Sequence, residues 1–228
     1  LPDVDALPAY LRALPARPVV LSAKGEDAAG GGAALSATYS RPFLAHAAIG
    51  PSCAIARCQG GTVEIWSQSQ SIHPLRKDIA TTLGIEPGAI IIHHVPGAGC
   101  YGHNGADDAA LDAVLLASAV EGRAVRLQWS HEDELGWEPY GPAMAVSMAG
   151  TAGTDGRISG WRHELWSNPH IARPGLQESP SLLAAWHLDP PFARPPGIDS
   201  LPGGKAASQR NAAPIYDFAN QKVTHHVL

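Results

Sequence analysis

The sequence predicts an α+β fold in which mixed sheets are covered by packed helices. Three observations carry this. Several short segments alternate apolar and polar residues with period two, an apolar β-branched run stands at Ile90-Ile91-Ile92, and two segments have helical character, His73 to Leu83 and Asp107 to Val120. With 228 residues and 45% apolar content, the chain can bury the core of one large or two small domains.

In chain order, residues 1–34 mix Pro, Ala and Asp and end in Ala28-Ala29-Gly30-Gly31-Gly32-Ala33-Ala34, which predicts an irregular N-terminal segment closing in a loop. Ala37 to Ala45 and Ser52 to Cys58 suit strands. Thr62-Val63-Glu64-Ile65-Trp66-Ser67 alternates after Gly60-Gly61, so it should pair with the preceding strand as a hairpin. Pro74 stands in the tolerated first turn of a helix over 73–83. Leu75, Ile79, Ala80 and Leu83 share one face of it, and Gly84 ends it. Ala89 to Val95, between Pro87-Gly88 and Pro96-Gly97, predicts a strand covered on both faces. Asp107-Asp108 favour a helix N-terminus, and the apolar stretch Ala109 to Val120 predicts a deeply buried helix that stops at Gly122. Ala124 to Trp129 reads as a strand, and Glu132-Asp133-Glu134 as a solvated turn. Ala143 to Ala149 and Arg157 to Trp166 read as a hairpin across Gly153-Thr154-Asp155-Gly156. Beyond Asn168, repeated prolines break any periodicity longer than Ser181 to Trp186. The predicted organisation is therefore an irregular segment at 1–34, a cofactor-binding-like domain at 35–167, and a proline-rich extended tail or incomplete continuation at 168–228.

Charge and composition exclude some classes. Sixteen basic against twenty-one acidic residues, without a Lys/Arg run, give no nucleic-acid footprint. No apolar stretch approaches the roughly 20 residues of a membrane span, and the first residues lack a secretory layout. Cys53, Cys58 and Cys100 are too few for a disulfide framework and read as free thiols. With His93-His94 and His225-His226 they lack the spacing of a structural metal site, so no metal ligand is assigned.

The segment Pro96-Gly97-Ala98-Gly99-Cys100-Tyr101-Gly102-His103-Asn104-Gly105 carries most of the functional information. Glycines there would let main-chain N–H groups approach a bulky anionic cofactor, beside the N-terminus of the next helix. Gly97-x-Gly99-x-x-Gly102 matches a dinucleotide fingerprint, with Glu121 or Glu132 as a ribose-binding acid. However, His103 to Ala106 postpones the helix, and Asp107-Asp108 would repel a pyrophosphate. Cys100 with His103 as a nucleophile pair lacks an oxyanion site, and no catalytic residue is assigned.

Four blocks in order resemble the large, molybdopterin-binding subunit of the xanthine dehydrogenase and aldehyde oxidase family, especially bacterial nicotinate- or isoquinoline-dehydrogenase-like members. They are Tyr39 to Ala54; Trp66-Ser67-Gln68-Ser69-Gln70 with Ile79 to Gly84; Gly99 to Asp108; and Gly122 to Leu127 with His131 to Glu134. The resemblance covers about Ala37 to Trp166 and implies the fold of that family's first molybdenum-cofactor-binding domain. It also implies that Gln70 hydrogen-bonds an oxo or hydroxo ligand of molybdenum, and that Gly99, Cys100, Tyr101 and Gly102 contact the dithiolene-pterin or metal ligands. A Gln amide suits the first role because it is neutral and carries both donors and an acceptor.

The implied activity of the complete enzyme is oxidation of an aldehyde or N-heteroaromatic carbon with water-derived oxygen. The implied partners are the remainder of the molybdopterin subunit, an iron–sulfur subunit that carries the clusters, and a cytochrome or flavin electron acceptor, in the cytoplasm or the periplasm. The sequence departs from the family in two places. Gly105 and the Tyr140-Gly141-Pro142-Ala143 stretch stand where purine-oxidising members carry a Glu and, after the acidic turn, an Arg. The Gly-x-Gly-Glu motif of the general base does not occur, so the chain reads as a cofactor cradle within a larger, split or pruned subunit. A non-catalytic scaffold module of the same fold and a nicotinamide-dinucleotide-binding oxidoreductase are the alternatives.

Overall fold

The computed structural model describes residues 3–25, 33–201, 205–206 and 208–228. The fold is mixed, as the alternation of periods predicts, and the chain divides into two units.

The first unit comprises residues 1–44, 142–171 and 197–228. Helix α1 (Leu7–Ala13) leads into strand β1 (Arg17–Lys24), and strand β2 is Ala33–Arg41. Where composition predicts an irregular segment, the chain thus forms a helix and a strand. Val19-Val20-Leu21 is a β-forming run, and Pro18 is tolerated because β1 lies at a sheet edge. The Ala28–Ala34 loop falls outside the described residues except for Ala33 and Ala34, which open β2.

The second unit comprises residues 45–141 and 172–196. Strands β3 (Cys53–Gln59) and β4 (Thr62–Ser67) form the predicted hairpin, with Gln59 opposite Thr62. Helix α2 (Ile72–Leu83) ends on left-handed Gly84, strand β5 (Ile90–His94) pairs parallel with β4, and helix α3 (Ala106–Ser118) is followed by β6 (Ala124–Gln128) and α4 (His131–Trp137). The sheet order is β5-β4-β3-β6. The helix-facing side of this sheet (Ala54, Ala56, Val63, Ile65) packs against Leu75 and Ile79 of α2 and Leu111, Val114 and Ala117 of α3. The run of alanines lets α3 lie close on β3, and the expected burial holds over Ala109–Leu111, Ala113, Val114 and Ala117 but not at Leu116 and Val120, which are exposed. Two expectations change here. β5 is an edge strand with Ile91 half exposed, so its apolar run does not reflect cover on both faces. The acidic triplet is not a solvated turn but the first turn of α4, closed by a capping box in which Asp133 N–H donates to Ser130 Oγ and Ser130 N–H to Asp133 Oδ2.

The chain then returns to the first unit through the predicted hairpin of β7 (Met144–Ala152) and β8 (Ile158–Ser167). The proline-rich region divides. Residues 172–196 fasten onto α2 and α3 of the second unit. Ser181 N–H donates to Asp78 at 2.7 Å, Leu183 N–H to Asp108 at 2.7 Å, and Leu182 and Ala185 enter the core. Residues 197–228 carry the two-residue strands β9 (Ser200–Leu201) and β10 (Lys205–Ala206), then β11 (Asn220–Val227). β11 lies between β1 and β8, giving the order β1-β11-β8-β7-β2, antiparallel except at β11-β8. Leu7 and Leu11 of α1 pack on Ala143 and Ala145 beside this sheet.

Among the described residues no helix is long and apolar enough to cross a membrane.

Candidate functional site

The site lies in the second unit, where the 95–105 loop leaves β5 and meets the N-terminus of α3. Its glycines are required by close packing. A Cβ on Gly97 would fall 1.5 Å from Gln68 Oε1, and one on Gly102 would fall 1.9 Å from His46 Cδ2. Gly102 also has φ +148, which L side chains rarely adopt. The room expected for a guest at these two positions is thus filled by the chain's own side chains. His46 is held there through its main chain, whose N–H donates to Glu138 Oε1 at 2.6 Å, and burial lowers the His46 imidazole pKa against the raising effect of Glu138.

The loop's hydrogen bonds are one-sided. Gly99 O accepts from Asn104 Nδ2 at 3.2 Å, and Gly102 O accepts from Arg173 Nη2 at 2.6 Å and from the Cys100 thiol. Among the described residues, the N–H groups of Gly99, Cys100, Tyr101 and Gly102 donate to no acceptor. Tyr101 is held at φ +54 with its ring over Gly99 and is exposed. Unmatched main-chain donors in a largely exposed loop can receive an anionic or electron-rich group.

Gln70 belongs to the same place. The Arg173 nitrogen that binds Gly102 O also donates to Gln70 Oε1 at 3.0 Å, so one guanidinium joins the glutamine to the loop. Asp107, buried in the first turn of α3, anchors the group: Oδ2 lies 3.7 Å from Arg173 Nη1 and 3.4 Å from His103 Nε2, while Oδ1 accepts from Ser69 Oγ. Beside the loop, Cys53, Ile55, Trp66, Gln68, Pro96 and Gly97 line a groove of about 580 Å³, and Gln68 Nε2 is buried there without an acceptor.

The structure therefore brings together all five residues singled out from sequence, Gln70 and Gly99 to Gly102. It adds Arg173, Asp107, Ser69, His46 and Gln68. Arg173 lies 103 positions beyond Gln70 in a region without periodicity, so no local signal marks it. Asp107 is visible in sequence only as a helix-terminal acid. Cys53, Cys58 and Cys100 are free thiols. Of the carboxylates around the loop, Glu134 is bound through both oxygens by Ser52 and Gly105, whereas Asp107 Oδ2 and Glu138 Oε2 are buried without a hydrogen-bond partner, the former beside the charges of Arg173 and His103.

Fold and loop together define a cofactor-binding domain: a mixed sheet, a helix N-terminus, and between them a glycine loop with unmatched N–H donors, a glutamine and a guanidinium. The chain belongs to the molybdopterin cofactor-binding domain family, whose model matches residues 21–193. It is 36% identical over 190 residues to a subunit of nicotinate dehydrogenase from Pseudomonas putida, and 30% identical over 134 residues to the aldehyde oxidoreductase molybdenum-binding subunit PaoC of Escherichia coli. These alignments cover 83% and 58% of this chain but 15% and 18% of the relatives, so the chain spans a small part of their length. Its fold is similar to the aldehyde oxidoreductase of Desulfovibrio desulfuricans, with a TM-score of 0.63 at 16% identity over 93% of this chain and 21% of that one. The quinoline 2-oxidoreductase of Pseudomonas putida gives 0.61 at 14% identity, over 91% of this chain and 25% of that one.

Proposed function

We propose that this chain is the cofactor-facing part of a molybdenum hydroxylase whose complete assembly oxidises an aldehyde or N-heteroaromatic carbon with water-derived oxygen. The observation that carries this reading is the shared guanidinium, which puts the Gln70 amide beside the loop with free N–H groups. Bound molybdopterin would supply the two-electron redox chemistry, with electrons leaving to iron–sulfur clusters on a partner chain.

The residues present suit such a group through their donors rather than through empty space over the glycines. The N–H groups of Gly99 to Gly102 would bind its electron-rich edge. Gln70 would orient it without adding charge, and Arg173, balanced by Asp107, would contribute positive potential. Tyr101 and Cys100 would border it. The groove beside Gly97 offers room for its flat ring system, and the unpaired Gln68 Nε2 there could donate to a ring acceptor. We place the proton acceptor of the reaction outside these residues, because Glu134 is bound through both oxygens and Asp107 is buried with Oδ1 on Ser69 and Oδ2 beside Arg173 and His103. The names of the relatives, a nicotinate dehydrogenase subunit and an aldehyde oxidoreductase subunit, support aldehydes and N-heteroaromatics as the substrate class and further subunits as partners. Those partners we propose to be an iron–sulfur subunit and a cytochrome or flavin acceptor. The alternative of a nicotinamide cofactor lacks support: α3 begins four residues after Gly102, and two of the three pairings in its sheet are antiparallel.

The test is elemental and pterin analysis of the complex purified through this chain from its host. Stoichiometric molybdenum with pterin is expected, and a Gln70→Ala variant should lower its retention. A folded, metal-free and pterin-free complex would overturn the reading in favour of a scaffold module.

A further inference from the structure

We propose that Arg173 is the positioning residue of Gln70, locking its amide so that Nε2 is the group presented to the cofactor. The inference rests on the reading above, in which Gln70 and the loop face that cofactor.

A glutamine amide can turn by half a rotation, exchanging a carbonyl acceptor for an NH₂ donor of nearly the same shape. What decides between the two is the neighbour. Here the neighbour is a guanidinium, which carries only donors. With Arg173 Nη2 3.0 Å away, Oε1 must face it; the flipped amide would set NH₂ against N–H. Among the described residues Gln70 Nε2 donates to no acceptor, so both its N–H bonds remain available. Gln70 is consequently a donor to whatever it meets, and the atom it meets must be an acceptor.

The lock is itself held. Arg173 contacts Asp107 through Nη1 and Gly102 O through Nη2, and Asp107, 2% exposed, also takes the hydroxyl of Ser69, the residue preceding Gln70. One buried carboxylate thereby acts on the glutamine from both ends, on its backbone through the hydrogen bond to Ser69 and on its amide through a 3.7 Å charge pairing with Arg173. Ser71 N–H, donating to Ser69 Oγ at 3.0 Å, tightens the same turn. This also explains why the 172–196 segment is folded onto α2 and α3: it delivers a side chain to a loop that local sequence cannot reach.

The experiment has two arms. In the cofactor-free chain, side-chain NMR of wild type should show cross-relaxation between the Gln70 region and the Arg173 guanidinium. Arg173→Met should lose it, and Arg173→Lys, which keeps a cationic group with donors only, should retain a single Gln70 amide conformer. A Gln70 amide that is equally ordered in wild type and Arg173→Met overturns the lock. In the cofactor-loaded complex, the metal–ligand vibrational spectrum should shift to higher frequency in Arg173→Met, as a donated hydrogen bond is lost, and return toward wild type in Arg173→Lys. If the first arm succeeds and the spectrum ignores both Arg173→Met and Gln70→Ala, the lock stands and the cofactor-facing reading of Gln70 fails. If Gln70→Ala shifts the spectrum but Arg173→Met does not, the positioning role fails and that reading stands.

Discussion

Glu134 closes on Ser52, its Oε2 accepting the serine N–H at 2.8 Å and its Oε1 the serine hydroxyl at 3.0 Å. Oε1 also accepts the N–H of Gly105 at 3.2 Å, so a carboxylate 1% exposed ties α4 to the residue before β3 and to the N-cap of α3. Replacing it removes acceptors from donors that stay buried. Glu134→Gln, which sets an NH₂ against one of these donors, should destabilise the chain by about 2–3 kcal/mol. Equilibrium urea unfolding measures this, and an unchanged midpoint would contradict it.

Asp108 behaves differently, because burial pushes its carboxyl up to about 8 against the opposing hydrogen bond from Leu183 N–H. A carboxyl with a raised folded pKa holds a proton that the unfolded chain releases above its ordinary value near 3.8. Its contribution to stability is therefore full in acid, declines as pH rises from about 4 to about 8, and is constant beyond. Asp108→Asn, which mimics the protonated form, should gain stability relative to wild type between pH 5 and 8, by an amount on the order of a few kcal/mol at the upper end. Parallel unfolding curves for the two proteins at pH 5 and pH 8 would refute this assignment.

Histidines give the opposite slope. His225 Nε2 lies 3.1 Å from Ser167 Oγ and its Nδ1 3.5 Å from Asp199 Oδ2, and burial lowers its pKa despite Asp199. His163 and His170 of the same unit are also lowered, chiefly by burial. With folded values below the ordinary 6.5, the stability these groups contribute is full above that pH and lost as pH falls through and below it. The unfolding midpoint should therefore drop between pH 6.5 and 5, and His225→Gln should shallow that decline. A variant with the wild-type slope would show that His225 is not a source of it.

Gly102→Ala tests the packing of the loop. The added methyl meets the His46 ring at a distance real Cβ atoms do not show, on backbone that disfavours it. Destabilisation of about 1–3 kcal/mol is expected. Unperturbed His46 resonances in the variant would sink the contact.

Much of the fold is legible in sequence wherever a segment's neighbours are its own. The 53–67 hairpin is set by alternation and Gly60-Gly61, α2 by its apolar face and Gly84, and α3 by an apolar stretch after two acids. Local pattern fails where a partner lies far along the chain. β1 looks irregular because its pairing strand begins at Asn220, and Arg173 looks like part of a proline-rich tail because its carboxylate is at Asp107. α4 does carry a local signal, the Ser130…Asp133 capping box, but three adjacent acids suggest solvent more strongly. Glycine pattern locates the candidate site but not the reason for the glycines, which is the approach of Gln68 and His46.

The insertion of β11 between β1 and β8 sets an order on synthesis. When the ribosome has made residue 167, β2, β7 and β8 can already associate, but one margin of β8 presents unpaired N–H and C=O groups until residues 220–227 emerge. During that interval β1 has nothing to pair with, and the nascent chain carries an adhesive strand margin of the kind chaperones shield.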